Sequence, residues 1–326
     1  MCWNFRLQKI ITKPAWAKPI ARIATTALIA ILLSGCDAVL LDPKGPVGEA
    51  ERDIILLATG LMLIVVVPVI VMALAFAWRY RASNTKAVYA PEWHHSTAIE
   101  VVVWTIPVVI ILILGTVTWA STHALDPRKP IASAGPPLEV QVVSLDWKWL
   151  FIYPEFGVAT VNELAVPVGR TVHFSLTSSG VMNAFFVPQL GSQIYTMPGM
   201  QSQLFLRADH PGSYDGMSAN YSGHGFADMR FTAKALDAAG LKAWIARAKA
   251  AMPLDTTAYR TLAKPGTHGV AYFGKVEEGL YERILNQCAL GGLCTAEAVS
   301  RAQIKGKLPK MPDCDPMTGN PIEKKS

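Results

Sequence analysis

At 326 residues the chain has room for a membrane anchor and one sizeable soluble domain. A hydrophobic content of 51% and a mean hydropathy of +0.29 exclude an ordinary soluble protein. The net charge of +6 does not signal nucleic acid, because the Lys and Arg are scattered or sit beside apolar runs, where membrane flanks need them.

Residues 1–35 read as a secretory signal that is removed. Arg6, Lys9, Lys13, Lys18 and Arg22 precede an apolar run over 23–33, too short to span a bilayer but suited to a signal peptide. Leu33-Ser34-Gly35-Cys36 closes it and resembles a bacterial lipobox. That resemblance implies acylation of Cys36, palmitate included, as the mature N-terminus, and loss of Cys2. Asp37 beside it fits retention in the inner membrane.

After a periplasmic segment over 36–53 come two uncharged apolar runs, 54–78 and 101–120, each long enough to cross the hydrocarbon as a helix. They predict membrane helices over 54–78 and 98–120. Pro68 and Pro107 lie inside them. The loop over 79–97 holds Arg79, Arg81 and Lys86 against Glu92, so it is the cytoplasmic side. Cys36 and everything after residue 120 then face the periplasm.

Residues 121–137 read as a linker, broken by Pro127, Pro130, Gly135, Pro136 and Pro137. Short runs of period two follow at 138–145, 147–153, 171–176, 203–206 and 228–232, which predict an all-β sandwich over 138–233. From 234 to 326 the pattern turns helical, with Leu236, Leu241, Trp244, Ile245 and Ala248 on one face, a second helix near 276–288, and a polar tail. The fold class is therefore an α+β membrane protein: a two-helix transmembrane hairpin, a periplasmic β-sandwich and a helical C-terminal extension.

Five stretches make the reading specific: Leu41-Asp-Pro-Lys-Gly45, Phe76-Ala-Trp-Arg-Tyr-Arg-Ala-Ser-Asn84, Asp146-Trp-Lys-Trp149, Met182-Asn-Ala-Phe-Phe186 and Gly191-Ser-Gln-Ile-Tyr195. Over residues 33 to about 250 the chain resembles subunit II of the haem–copper oxidases, in the cytochrome bo branch that oxidises ubiquinol. The resemblance implies that the sandwich is a cupredoxin fold.

In cytochrome c oxidases of this family the domain binds a dinuclear copper centre through two Cys thiolates, two His, a Met and a carbonyl, soft thiolates being what holds the copper. The matching positions here are Ser218 and Ser222 for the cysteines, Asn220 for the carbonyl donor, Phe226 and Asn183 for the histidines, and Met229. Only Met229 is retained, and a neutral serine hydroxyl does not replace a thiolate, so no metal is expected in this chain. His224 reads as a solvated or hydrogen-bonded loop residue, Met229 as core packing, and Trp147 and Trp149 as sandwich and subunit-interface aromatics.

Glu100 begins the second span. It is either an interfacial acid that sets the helix position or, as the resemblance implies, the mouth of a proton pathway into subunit I. His94 and His95 read as solvated. Cys288, Cys294 and Cys314 suit a structural disulfide better than zinc or haem; a Cys288–Cys294 bridge would staple a Gly-rich loop and leave Cys314 unpaired, but sequence does not fix the pairing.

The resemblance implies a non-redox subunit II, without catalytic residues of its own, of a proton-pumping complex that oxidises quinol and reduces oxygen to water. It further implies that haem b, a second haem of o or a type, and copper belong to subunit I. Subunits I, III and IV, membrane lipid and quinol are the expected partners; nucleic acid and cytochrome c are not. Rival readings are a related menaquinol oxidase subunit, a cytochrome c oxidase subunit, and a free-standing lipoprotein binding module.

Overall fold

The computed structural model describes residues 38–88, 90–133, 135–291 and 294–295. The expected signal, Cys2, Cys36 and Cys314 lie outside them. Helix α1 (Pro46–Arg79) starts eight residues before the predicted span, with proline in its first turn, where its missing N–H costs nothing. Its 34 residues make it about 51 Å long. That exceeds the roughly 30 Å of hydrocarbon by several turns. The extra turns carry Glu49, Glu51, Arg52 and Asp53, the charges that conceal the helix start in the sequence. Helix α2 (Thr97–Ala124) likewise runs four residues beyond its predicted end. Both helices are long and apolar enough to cross a membrane, and the apolar side chains of their central turns are exposed.

Eleven strands follow among the described residues: β1 (Leu138–Leu145), β2 (Lys148–Tyr153), β3 (Val158–Val161), β4 (Glu163–Pro167), β5 (Val172–Ser178), β6 (Asn183–Val187), β7 (Gly191–Thr196), β8 (Ser202–Leu206), β9 (Gly212–Ser218), β10 (Arg230–Leu236) and β11 (Ala271–Phe273). They form a six-stranded sheet ordered β11-β3-β2-β1-β5-β8 and a five-stranded sheet ordered β4-β10-β9-β6-β7. Pairs β1–β5 and β4–β10 are parallel. Leu236, read as helical, ends β10.

Strand β2 shows why the first sheet is buried on both faces. Trp149, Phe151 and Tyr153 point into the sandwich core with Phe174, Phe185 and Phe231. The alternate residues Leu150 and Ile152 join a second core with Tyr259, Leu262, Leu280, Tyr281 and Ile284. The C-terminal extension comprises α3 (Ala238–Lys249), α4 (Thr256–Leu262), β11 and α5 (Leu280–Leu285); α4, β11 and α5 cover the second core, whereas α3 packs Trp244 and Ala248 on the first. The extension is thus not purely helical, since β11 becomes an edge strand paired antiparallel with β3.

Polar contacts fasten the extension to the sandwich. The buried Glu163 of β4 accepts from Trp244 Nε1 at 2.8 Å and Tyr272 OH at 2.6 Å and pairs with Lys234 Nζ at 2.7 Å. Burial alone would raise its carboxyl; the bonds from Lys234, Tyr272 and Trp244 outweigh that and hold it below the usual range. Lys148 donates to the carbonyls of Leu262 and Lys264 at 3.0 and 2.8 Å, satisfying the C-terminal end of α4. Its burial lowers the ammonium pKa, against a smaller opposing effect of Asp146. Cys288 and Cys294 form a disulfide directly after α5.

The Leu41-Asp-Pro-Lys-Gly45 stretch docks on the sandwich. Lys44 N–H donates to Gln189 O at 2.7 Å, Asp209 N–H to Lys44 O at 2.8 Å, and Gly48 N–H to Leu190 O at 3.2 Å. A Cβ on Gly45 would overlap the Arg207 carbonyl, so only glycine allows this approach. Ser192 of β7 donates to Glu51 of α1, which places a charge of the extra helical turns against the sandwich.

Candidate functional site

The turn between β1 and β2 is a tight hairpin in which Leu145 pairs with Lys148, leaving Asp146 and Trp147 at its tip. Trp147 adopts φ 68°, a left-handed conformation that costs a non-glycine residue about 1 kcal/mol or more. In exchange its indole reaches the segment between β9 and β10: Nε1 donates to Ser222 O at 3.1 Å, and the ring lies on the backbone of Gly225.

That segment brings together all six positions singled out by resemblance. Ser218 Oγ lies 3.1 Å from Asn183 Oδ1 and 3.2 Å from Asn220 O. Ser218 N–H donates to Met229 O at 3.1 Å, Met229 N–H to Phe226 O at 3.1 Å, and Ser222 Oγ sits 4.0 Å from the Met229 sulfur. Asn183 Nδ2 donates to Val181 O, while Asn220 Nδ2 reaches Met182 O at 3.4 Å. Beneath them Ser144 and Thr196 hydroxyls pair at 2.8 Å, and Thr196 Oγ1 also contacts Asn183 O. Asn183, Ser218 and Met229 are buried, Met229 within the sandwich core.

Chemically this set is two hydroxyls, two amides, one phenyl ring and one thioether. Ser218 bonds to Asn183 and the amide donors are taken up by nearby backbone carbonyls, and the set contains no group that becomes an anionic soft ligand at neutral pH. The residues present therefore do not fit a dinuclear copper centre. His224 is exposed, its ring 6.5 Å from that of Trp147 and edge-on to it. Among the described residues no three His, Cys, Asp or Glu side chains converge as a metal group would require. Trp149, unlike Trp147, is wholly buried, edge-on to Phe185 and Phe231.

Glu100 lies in the first turn of α2, about half exposed, and its Oε1 is 2.7 Å from His95 Nδ1. His95 Nε2 in turn is 3.1 Å from Thr97 Oγ1. His94 and His95 are exposed, but His95 is a partner of Glu100 rather than a merely solvated group. The spacing of five residues gave no helical reason to pair them, since His95 precedes the helix.

Residues 157–236 match the family model described as Cytochrome C oxidase subunit II, periplasmic domain, and residues 249–292 the COX Aromatic Rich Motif. Cytochrome bo(3) ubiquinol oxidase subunit 2 of Pseudomonas aeruginosa is 55% identical over 83% of this chain and 83% of that protein. The chain belongs to the ubiquinol oxidase subunit 2 family. Ubiquinol oxidase subunit 2 of Acetobacter aceti is 50% identical over 82% of this chain and 89% of its own length. The periplasmic domain of subunit II of cytochrome oxidase from Bradyrhizobium japonicum, a solved structure, is 21% identical over 36% of this chain and 98% of that chain, with a TM-score of 0.35. As a subunit 2 family member the chain is membrane-anchored with a periplasmic, cupredoxin-like domain, and the aromatic-rich match falls on the extension that forms the second core.

Proposed function

We propose that this chain is a non-redox subunit II of a proton-pumping complex that oxidises quinol and reduces oxygen to water. The observation that carries the reading is the buried Ser218–Asn183 hydrogen bond, in the segment where the resemblance to cytochrome c oxidases puts copper ligands. A self-satisfied polar cluster has no means of accepting an electron. Quinol is confined to the bilayer, so a donor that never enters the periplasm needs no relay there. Haem b, a second haem and copper are assigned to the partner subunit I, with subunits III and IV completing the complex in the bacterial inner membrane.

In this reading the chain supports assembly, with Cys36 as a lipid anchor at the mature N-terminus. Glu100 collects protons at the cytoplasmic boundary, where His95 holds its carboxylate in a hydrogen-bonded pair. The test is to recover the chain from detergent-solubilised membranes and assay haem, copper and ubiquinol oxidation in the same fractions. Co-purification of all three with the chain, and no copper in its isolated periplasmic domain, is expected. Recovery without a haem-bearing partner, or turnover driven by reduced cytochrome c, would sink the reading.

A further inference from the structure

We infer that a cavity at the periplasmic foot of the two helices binds a zwitterionic phospholipid of the phosphatidylethanolamine type. The cavity has a volume of about 230 Å³ and is bounded by the first turn of α1, the residues that follow α2, and edge strand β8. Its walls are mainly apolar, from Val47, Leu125, Ile131, Leu204 and Phe205. A smaller apolar cavity of about 150 Å³ already holds a benzene ring. The space therefore admits a stretch of acyl chain or a glycerol-ester region.

The walls are fixed without help from a ligand. Phe205 N–H donates to Pro127 O at 3.0 Å, Thr171 Oγ1 to Ile131 O at 3.0 Å, and Arg207 to Ala132 O at 2.7 Å, which pins the linker to the sheet edge. On the other side the bonds of Lys44 and Gly48 to the β6–β7 turn hold the start of α1. Binding here would order little of the protein.

Two observations choose the occupant. The lining residues at 46–47 and 124–131 lie just outside the uncharged runs at 54–78 and 101–120, so the cavity opens at the headgroup level of the periplasmic leaflet. Its rim carries Asp126 and Lys129, both exposed and neither in an ion pair with the described residues. A carboxylate and an ammonium three residues apart complement a headgroup that bears both an ammonium and a phosphate.

The experiment uses the intact complex purified in mild detergent, with retained lipid counted by native mass spectrometry after addition of phosphatidylethanolamine or phosphatidylglycerol. Ala124 is exposed at the cavity wall, so Ala124→Trp fills the mouth without touching the core, and Lys129→Glu reverses the phosphate partner. The expected result is one retained phosphatidylethanolamine fewer in Ala124→Trp. Lys129→Glu should weaken retention up to about fivefold, the upper range for one exposed ion pair, with Lys129→Arg unchanged. The proposal is overturned if Ala124→Trp keeps its full lipid complement, if phosphatidylglycerol is held as well as phosphatidylethanolamine, or if added ubiquinol displaces the lipid. It is also overturned if a photo-crosslinker at position 124 captures a protein subunit instead of lipid.

Discussion

Trp147 Nε1 and the carbonyl of Ser222 meet across 3.1 Å, so a strained hairpin tip holds down the segment that joins β9 to β10. The indole needs a flat surface to do this, and Gly225 supplies it: a Cβ there would lie 2.6 Å from Trp147 Cγ. The backbone at Gly225 has φ −92°, which alanine adopts freely, so only the ring objects to a methyl group. Gly225→Ala should therefore destabilise the chain by about 1–3 kcal/mol, the usual range for overpacking. In a Trp147→Ala background the same substitution should cost almost nothing. Denaturant titration of the four-member cycle measures the coupling, and equal costs in both backgrounds would refute the clamp.

Glu163 gives the periplasmic domain a pH dependence of definite sign. Its folded carboxyl titrates below the ordinary value of 4.5, so as pH falls the unfolded chain takes up the proton first. Its contribution is complete above about 4.5 and is lost as pH drops through the depressed folded value. Glu163→Gln keeps the shape but removes the charge that Lys234, Tyr272 and Trp244 surround, at a cost of about 2 kcal/mol. Melting curves of the full chain should show the variant less stable at neutral pH and flatter below pH 4.5. An unchanged acid slope would show that other carboxylates set it.

Strands with alternating β-branched residues, such as β1, are legible because each apolar side chain faces a core on a two-residue period. Strand β9, Gly-Ser-Tyr-Asp-Gly-Met-Ser, is not, since Gly216 is there to admit the Phe231 ring rather than to favour a strand. Helix α4 hides for a similar reason: it opens on two threonines, and its real signals are the Asp255 cap and the buried Tyr259 and Leu262. The six positions of the site could be named from resemblance, whereas their mutual hydrogen bonds could not. Nor could contacts such as Trp244 with Glu163, which are separated by 81 residues and follow from no local pattern.

If Glu100 collects protons for the complex, its loss should matter most when protons are scarce. Glu100→Gln in the intact oxidase should slow ubiquinol oxidation progressively as pH rises, with little effect at acidic pH. His95→Ala removes the partner at 2.7 Å and should give a weaker version of the same profile. A uniform loss across pH would instead mark Glu100 as an interfacial residue that positions α2.

The Cys288–Cys294 bridge closes a loop with a sequence separation of six, for which chain entropy gives a stabilisation of about 2 kcal/mol. Where that stabilisation is felt follows from what the loop touches. Ala289 inside it is buried in the second core, and its carbonyl accepts from Arg260 of α4 at 3.3 Å. Thr295 just beyond it donates back to Asn286 O at 2.8 Å, at the end of α5. Replacing both cysteines by serine should therefore loosen α4, α5 and the outer face of β2 while leaving the aromatic core of Trp149, Phe185 and Phe231 intact. Hydrogen exchange would read this as faster amides over 256–289 with unchanged protection in β6 and β10, and Cys314→Ser alone should leave the pattern as in the parent chain. Uniform acceleration through both sheets would mean that the two cores unfold together, and that the extension is an integral layer of the domain.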